Sequence, residues 1–408
     1  MDLEIIDGAL HIGDFMTVTL GIMVLFIGRR INQKVAFLER FSIPEPVTGG
    51  LLLSIAIAII YYTTSVEIHF DLGTRDVLLI YFFTTIGINA SIKDLLQGGK
   101  PLIVLLLITI GYMILQNFTG IGVARLFDQP VAVGLLGGSV SLIGGHGTAI
   151  AWAPRIAEDF GISNAMEIGI ASATFGLILA SLMGGPIAQF LIKRHNLSAN
   201  KDEAMDVGES KEHEPQIGSY DFLDALLAIH ICIFFGFIFN ELLLQTGLQL
   251  PLFVSCLFAG IVLSALMPFT KNRITGTKWP ARQPAVALIA NIALGTFLAM
   301  SLMSMQLWTL VDMAGPIFAI LAAQFVVAIV VNLFVVFPAM GKSYDAAVVC
   351  SGFGGISLGS TPTAMANMAS VTQRYGNSHL AFIIVPLVCA FFIDLANALL
   401  IPLFLQLA

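Results

Sequence analysis

Charge is what this sequence has least of. Asp, Glu, Lys and Arg make up 11% of its 408 residues while 57% of the side chains are hydrophobic, where soluble domains carry about 25% charge. A water-exposed globular chain is excluded, and the solvent must be lipid. The alternating pattern of a membrane barrel is missing too, whereas several runs approach the ~20 apolar residues of a spanning helix, so the class is all-α and polytopic. Cysteine is sparse: Cys232, Cys256, Cys350 and Cys389 all lie in apolar segments without metal-ligand spacing. That excludes a disulfide framework and a zinc site. There is no HExxH and no pair of intramembrane aspartates at a shared depth, so an enzyme is not expected. No organic cofactor and no nucleic-acid partner are expected either. The opening MDLEIIDG is acidic where a cleaved signal peptide needs basic residues, and residues 12–28 are expected to be a retained first span.

What is present is a repeat. GGHGTAIAWAPRIAEDFGISN at 144–164 and GSTPTAMANMASVTQRYGNSH at 359–379 share Thr148 with Thr363, Ala149 with Ala364, Ala151 with Ala366 and Gly161 with Gly376 at a constant offset of 215 residues, which also pairs Phe82 with Phe297 and Pro101 with Pro316. Two copies of one half are implied. Spans are expected at about 12–28, 45–62, 76–93, 101–126 and 164–192, then 221–244, 250–268, 283–305, 314–338 and 378–405. Regions of about 130–155 and 343–374 remain, each long enough to enter the membrane and return as a helical hairpin.

Positive charge tests this topology. With both termini outside and both hairpins re-entrant, sixteen of the nineteen Lys and Arg fall in inside loops, leaving Arg75, Arg125 and Arg155 outside; this is the bias the positive-inside rule demands. Five spans per half then make the second copy inverted relative to the first. The expected organisation is a first repeat over 1–192, a polar cytoplasmic linker over 193–219, and an inverted second repeat over 220–408.

The two repeated strings carry the candidate chemistry. In the first, Gly144, Gly145, His146, Gly147 and Thr148 form a glycine-rich helix start whose exposed N–H groups suit a carboxylate; the alternative is tight packing of two short helices. His146 can lock the hairpin, touch substrate or carry a proton. Ser139, Ser141 and Thr148 offer oxygens to a hard cation or donors to a substrate, unless they bond back to their own helix. In the second, Ser360, Thr361 and Thr363 surround Pro362 and precede Asn367. Proline removes an N–H and leaves oxygens for a cation or an anionic ligand, though Thr361 before Pro362 is also an ordinary helix cap. Asp394 lies mid-span in FFIDLANALL, with no Lys or Arg in that span. A carboxylate at that depth needs a bound cation or a substrate ammonium, and Asn397 lies on the same helix face. Thr84, Thr85 and Asn89 form a further polar group, serving as a site or as glue between helices. Asn164 and Glu167 have capping-box spacing. Asp14, Asn117 and Asn332 are polar residues within spans without an assigned role.

IPEPVTGGLL at 43–52, TTIGINASI at 84–92, GGHGT at 144–148, GKSYDAAV at 341–348, TPTAMANM at 361–368 and FFIDLANALL at 391–400 resemble the bacterial sodium/glutamate symporter family. The likeness covers roughly residues 10–405 and fades only in the linker. The resemblance implies sodium-coupled uptake of L-glutamate across the bacterial cytoplasmic (inner) membrane, two inverted five-helix repeats with re-entrant hairpins, and a homodimer working as an elevator. Substrate contacts are then expected from Gly144, Gly145, His146, Gly147, Thr148, Thr361, Thr363, Asn367, Asp394 and Asn397. Candidate Na+ ligands are Thr84, Asn89, Ser141, Thr174, Ser360 and Pro362. Apart from Arg125 at the outer end of its span, the spans contain no Arg to clamp the substrate's side-chain carboxylate. The rival reading is a proton-coupled symporter, or one for another organic anion or amino acid; a channel is a more distant one.

Overall fold

The structure, a computed structural model, describes residues 3–6, 9–40, 43–89, 92–199, 217–245, 250–274 and 284–407. Residues 200–216 of the linker lie outside them, as do Lys201, Lys211, Lys278 and Arg282 of the charge count. The elements run β1 (Leu3–Ile6), β2 (Ala9–Ile12), α1 (Asp14–Asn32), α2 (Ala36–Arg40), α3 (Glu45–Thr64), β3 (Ile68–Phe70), α4 (Gly73–Asn89), α5 (Ile92–Leu126), α6 (Val131–Leu136), α7 (Gly145–Phe160), α8 (Ala165–His195), α9 (Ser219–Gln245), α10 (Leu252–Ile274) and α11 (Pro284–Met303). A 3-10 turn (Leu307–Met313) leads to α12 (Ala314–Val331), a π turn (Asn332–Val336), α13 (Phe337–Ala339), α14 (Tyr344–Leu358), α15 (Thr361–Tyr375), α16 (His379–Leu387), a second π turn (Val388–Phe392) and α17 (Ile393–Leu405).

Helix occupies each of the ten expected spans. Among the described residues six helical stretches are long and apolar enough to cross a membrane: Glu45–Thr64, Gly99–Leu126, Ala165–His195, Ser219–Gln245, Pro284–Met303 and Ala314–Ala339. Gly99 kinks α5 with φ 59 and ψ −157, so a short helical piece precedes the apolar span. One element departs from the all-helical expectation. β1 pairs antiparallel with β2, and β2 pairs parallel with β3, setting His11 opposite His69. The strands draw on β-branched residues that flank the helices, in runs too short to announce themselves.

The chain divides into two compact units. The first comprises Met1–Ile31, Glu45–Ile92 and Glu209–Met305. Here α4 packs on α10 and α11, α11 on α3, and α9 on α10. Close approach of α4 to α10 needs the absent side chains of Gly87 and Gly260: a Cβ on Gly87 would strike the Leu257 carbonyl. Ile88, Ile229, Val286 and Ile289 fill the core nearby. The Ser54 hydroxyl ties α3 to α11 through the Leu302 carbonyl. Asp14 also finds its role, because its carboxylate accepts both the backbone N–H (2.9 Å) and the hydroxyl of Thr74 at the start of α4. It is a helix cap supplied from another element.

The second unit comprises Asn32–Pro44, Lys93–Gly208 and Gln306–Ala408. Its axis is α8, 31 residues and about 46 Å long, which touches α7, α12, α14 and α15. Small residues recur along α8 where it meets the second repeated string. A Cβ on Gly176 would strike the Leu358 carbonyl, Ala180 abuts Gly359, and Gly184 is closed by Asn367 and Ser351. Such spacing lets backbones approach without side chains between them. The expected capping box at the start of α8 does not form. Asn164 donates instead to the Thr309 carbonyl (3.0 Å), and Glu167 accepts from the Gln306 N–H (3.0 Å), because Asn164 sits at φ −101, ψ 26 rather than in the extended conformation a capping side chain needs.

Candidate functional site

Both repeated strings fold as a helix, a break and a helix. In the first, α6 ends at Leu136, and α7 begins at Gly145. Two Gly-Gly pairs bound the break, and Gly145 takes φ +69, a left-handed conformation that glycine adopts without strain. In the second, α14 gives way to α15 across Gly359 and Ser360, with Ser360 extended (φ −155, ψ 169) as the cap. The cap is thus one residue earlier than expected, leaving Thr361 and Pro362 in the first turn. The two breaks meet: a Cβ on Gly145 would lie 4.0 Å from the Gly359 carbonyl oxygen.

Broken helices in an apolar interior leave carbonyls that must find donors. Side-chain amides supply them at Gly137, Ser139 and Ser357, and also reach the Gln116 and Ala180 carbonyls inside α5 and α8. Gln324 of α12 donates to the carbonyls of Gln116 (2.7 Å) and Gly137 (3.2 Å). Gln116 of α5 donates to the Ser357 carbonyl at 2.8 Å, Asn397 of α17 to that of Ser139 at 3.2 Å, and Asn367 of α15 to that of Ala180 at 3.1 Å. Asn117 and Asn332, unassigned from sequence, each bond the main chain of one helix–break–helix segment, the first in the break itself and the second inside α14. The Oδ1 of Asn117 accepts from Ser139 N–H at 2.9 Å, and Asn332 donates to the Cys350 carbonyl at 3.0 Å. Their numbers differ by 215, the repeat offset. Gln116 and Gln324 were missed in the sequence; the signal was a glutamine inside an apolar span, beside Asn117 in one case.

Among the substrate candidates, Gly144, Gly145 and Gly147 are half-buried at the start of α7, whereas His146 and Thr148 are buried. His146 Nε2 meets the Thr174 hydroxyl at 3.0 Å, and that hydroxyl donates to the Ile170 carbonyl. This joins a substrate candidate to a sodium candidate. At the second break Ser360 and Thr363 pair hydroxyl to hydroxyl at 3.1 Å, with Pro362 exposed and Thr363 buried. Cys389 lies beside both Thr361 and Asp394, so the Asp394 carboxylate, half-buried, stands near the second break. None of the ion pairs among the described residues includes it. One turn on, Asn397 reaches the first break through the Ser139 carbonyl. Thr84 and Asn89 belong to the other unit: Thr84 is buried on α4 and its hydroxyl donates to the Ile80 carbonyl of its own helix.

Several buried polar atoms find no partner among the described residues, including Ser139 Oγ, Ser141 Oγ, Ser172 Oγ and Asn397 Oδ1. Each costs about 1–3 kcal/mol if left so. Long apolar helices surrounding amide-clasped breaks, with unpartnered oxygens beside them, define a multi-pass helical membrane protein with a polar interior site.

Comparison with known proteins narrows the class. The family described as "Sodium/glutamate symporter" matches residues 10–377. The protein of Escherichia coli K12 named sodium/glutamate symporter is 40% identical over 404 residues, covering 97% of this chain and 98% of its own. The Haemophilus influenzae protein of the same name is 39% identical over 393 residues, covering 95% and 96%. The chain belongs to the sodium/glutamate symporter family. These relatives are named as transporters, not enzymes.

Proposed function

We propose that this protein takes up L-glutamate coupled to Na+ across the bacterial cytoplasmic membrane, by alternating access. The observation that carries the reading is the meeting of the two helix breaks beside Asp394 and Asn397, in a chain whose relatives carry the symporter name. The repeats are inverted, residues 1–192 against 220–408, with re-entrant hairpins of about 130–155 and 343–374 opening to opposite sides. The behaviour expected near a two-fold axis supports this: Phe82 and Phe297, at the repeat offset, touch with ring centroids 5.8 Å apart, and Gly145 adjoins Gly359.

In this reading the second unit holds the substrate, and it moves as an elevator against the first unit in a homodimer. Both termini are extracytoplasmic, and the linker of 193–219 is cytoplasmic. The backbone N–H groups of half-buried Gly145 and Gly147 and the hydroxyls of Thr148, Thr361 and Thr363 receive the carboxylates, the Gly144 N–H being taken by the Ser139 carbonyl. Asp394 receives the ammonium. His146 and Asn367 hold the tips in shape through Thr174 and the Ala180 carbonyl.

Uptake by proteoliposomes of the purified protein tests the coupling. An imposed Na+ gradient should drive accumulation of L-glutamate with no proton gradient present. Accumulation driven by a proton gradient alone would establish the rival symporter instead, and transport without saturation or counterflow would indicate a channel.

A further inference from the structure

We infer that the first break holds the coupling cation, at a site made by Ser139 Oγ, Ser141 Oγ and Asn397 Oδ1. The inference rests on the Na+-coupled reading above and names the ligands that reading leaves open. These three atoms are buried and without a partner among the described residues. Ser139 and Asn397 are neighbours, and the proposed site brings Ser141 to them across the first break. Asn397 Nδ2 donates to the Ser139 carbonyl (3.2 Å), and it lies against Gly144, where an added Cβ would come within 2.7 Å of it. Ser141 Oγ would lie 3.4 Å from a Cβ on Gly169, so Ser141 borders α8.

The main chain at Ser139 is held at both ends. Its N–H meets Asn117 Oδ1 at 2.9 Å, and its carbonyl accepts from Gly144 N–H (3.0 Å) as well as from Asn397. The site is therefore built before any ligand arrives. Because Asn397 spends its amide nitrogen on that carbonyl, its oxygen is left as an acceptor only. An anion would be repelled by it. Oxygen ligands suit a hard cation, and affinity for Ca2+ rises with the number of charged ligands; the three here are neutral, which favours a single charge. The second break is the poorer candidate, since Ser360 and Thr363 satisfy each other there and Pro362 is exposed. Of the six expected sodium ligands, the inference keeps Ser141 and adds Ser139 and Asn397.

The test uses full-length purified protein without glutamate, with NaCl exchanged for choline chloride at constant ionic strength. Unfolding is followed by tryptophan fluorescence, to which buried Trp152 of α7 contributes. Sodium should raise the wild-type midpoint with a measurable half-saturation. S139A and S141A should melt as wild type in choline yet need at least about tenfold more sodium for the same shift. S141C, which keeps the size of the side chain but replaces the oxygen with sulfur, should do likewise. The half-buried T119A, whose hydroxyl bonds its own helix, should match wild type. Unaltered half-saturation in the serine variants, alongside a sodium response and sodium-driven uptake in wild type, overturns this site and leaves the transport reading standing. No sodium response and no sodium-driven uptake in wild type overturns both. A response to KCl equal to that to NaCl overturns the assignment to the coupling cation.

Discussion

Replacing Gln324 with Leu should loosen the second unit by a calculable amount. The two side chains are close in volume, so no cavity opens. What is lost is the amide that donates to the carbonyls of Gln116 and Gly137 at 2.7 and 3.2 Å, in a residue with no exposed surface. The Gln116 carbonyl lies inside α5 and keeps its place in the helix ladder. Gly137 lies at the break, and leaving its carbonyl without a donor costs about 1–3 kcal/mol. Local opening of the second unit should then be about 5- to 150-fold more frequent. The cysteines provide the assay, because all four are buried. Cys350 belongs to the second unit and Cys232 to the first. In a form retaining only Cys350, labelling by a thiol reagent under native conditions should accelerate by that factor in Q324L, while a form retaining only Cys232 should label at the parental rate. Q116L, which strips the Ser357 carbonyl of its 2.8 Å donor, should act similarly, and the two losses should add within about 0.5 kcal/mol because they concern different carbonyls. An unchanged rate at Cys350 in both variants would refute the view that these amides hold the breaks.

Asp394→Asn should abolish coupled uptake while expression and thermal stability stay near normal, since the carboxylate makes no ion pair among the described residues. An ammonium about 4 Å away is worth at most ~4 kcal/mol at an effective dielectric of 20, so glutamate affinity should fall by up to about a thousandfold; near-normal uptake would remove the residue from the site. Gly176→Val should destabilise the protein by at least about 1–3 kcal/mol, because a Cβ there meets the Leu358 carbonyl and, at 2.8 Å, Leu142 Cδ2; an unaltered melting midpoint would show that α8 and the second break are not in close contact. Single cysteines introduced at Gly144 or Gly147 should react with impermeant reagents from outside, and at Thr361 from inside, both protected by glutamate. Reversed sidedness would overturn the proposed topology.

The helices were legible because each lies in an apolar run, six of which, among the described residues, are long and apolar enough to cross a membrane. The two breaks were legible because Gly144, Gly145 and Pro362 interrupt such runs. Other features depend on partners distant in the chain. Nothing in the local pattern says that Gln116 caps residue 357, or that Asp14 caps the turn at Thr74, for tertiary approach selects those partners. β2 and β3 were hidden in the same way: Ala9–Ile12 and Ile68–Phe70 are too short for a periodicity to register, and their pairing spans three helices. Asn164 and Glu167 show the converse, a valid local signal overridden when the 3-10 turn at Leu307–Met313 brought backbone groups within reach of both side chains.

The two strings match at a constant offset, yet the second half departs from regular helix where the first does not. Asn332–Val336 and Val388–Phe392 are π turns, whereas residues 117–121 and 173–177, at the same offset, continue as α-helix within α5 and α8. A π turn widens the helix and displaces carbonyls from the regular ladder, and such turns concentrate at functional sites. The first begins at Asn332, whose side chain and carbonyl both contact Cys350 of α14. The second ends immediately before α17, whose opening residues carry Asp394. The irregular backbone and the intramembrane carboxylate therefore occur together, in the copy whose break is lined by hydroxyls. The other copy keeps regular helices around its break and brings glycines and unpartnered serines instead. A substrate with charges of both signs and a small cation make different demands, and two copies alike in backbone but unlike in these details can meet both, which is why we propose the ammonium for the second break, through Asp394, and the cation for the first, with Ser139 and Ser141.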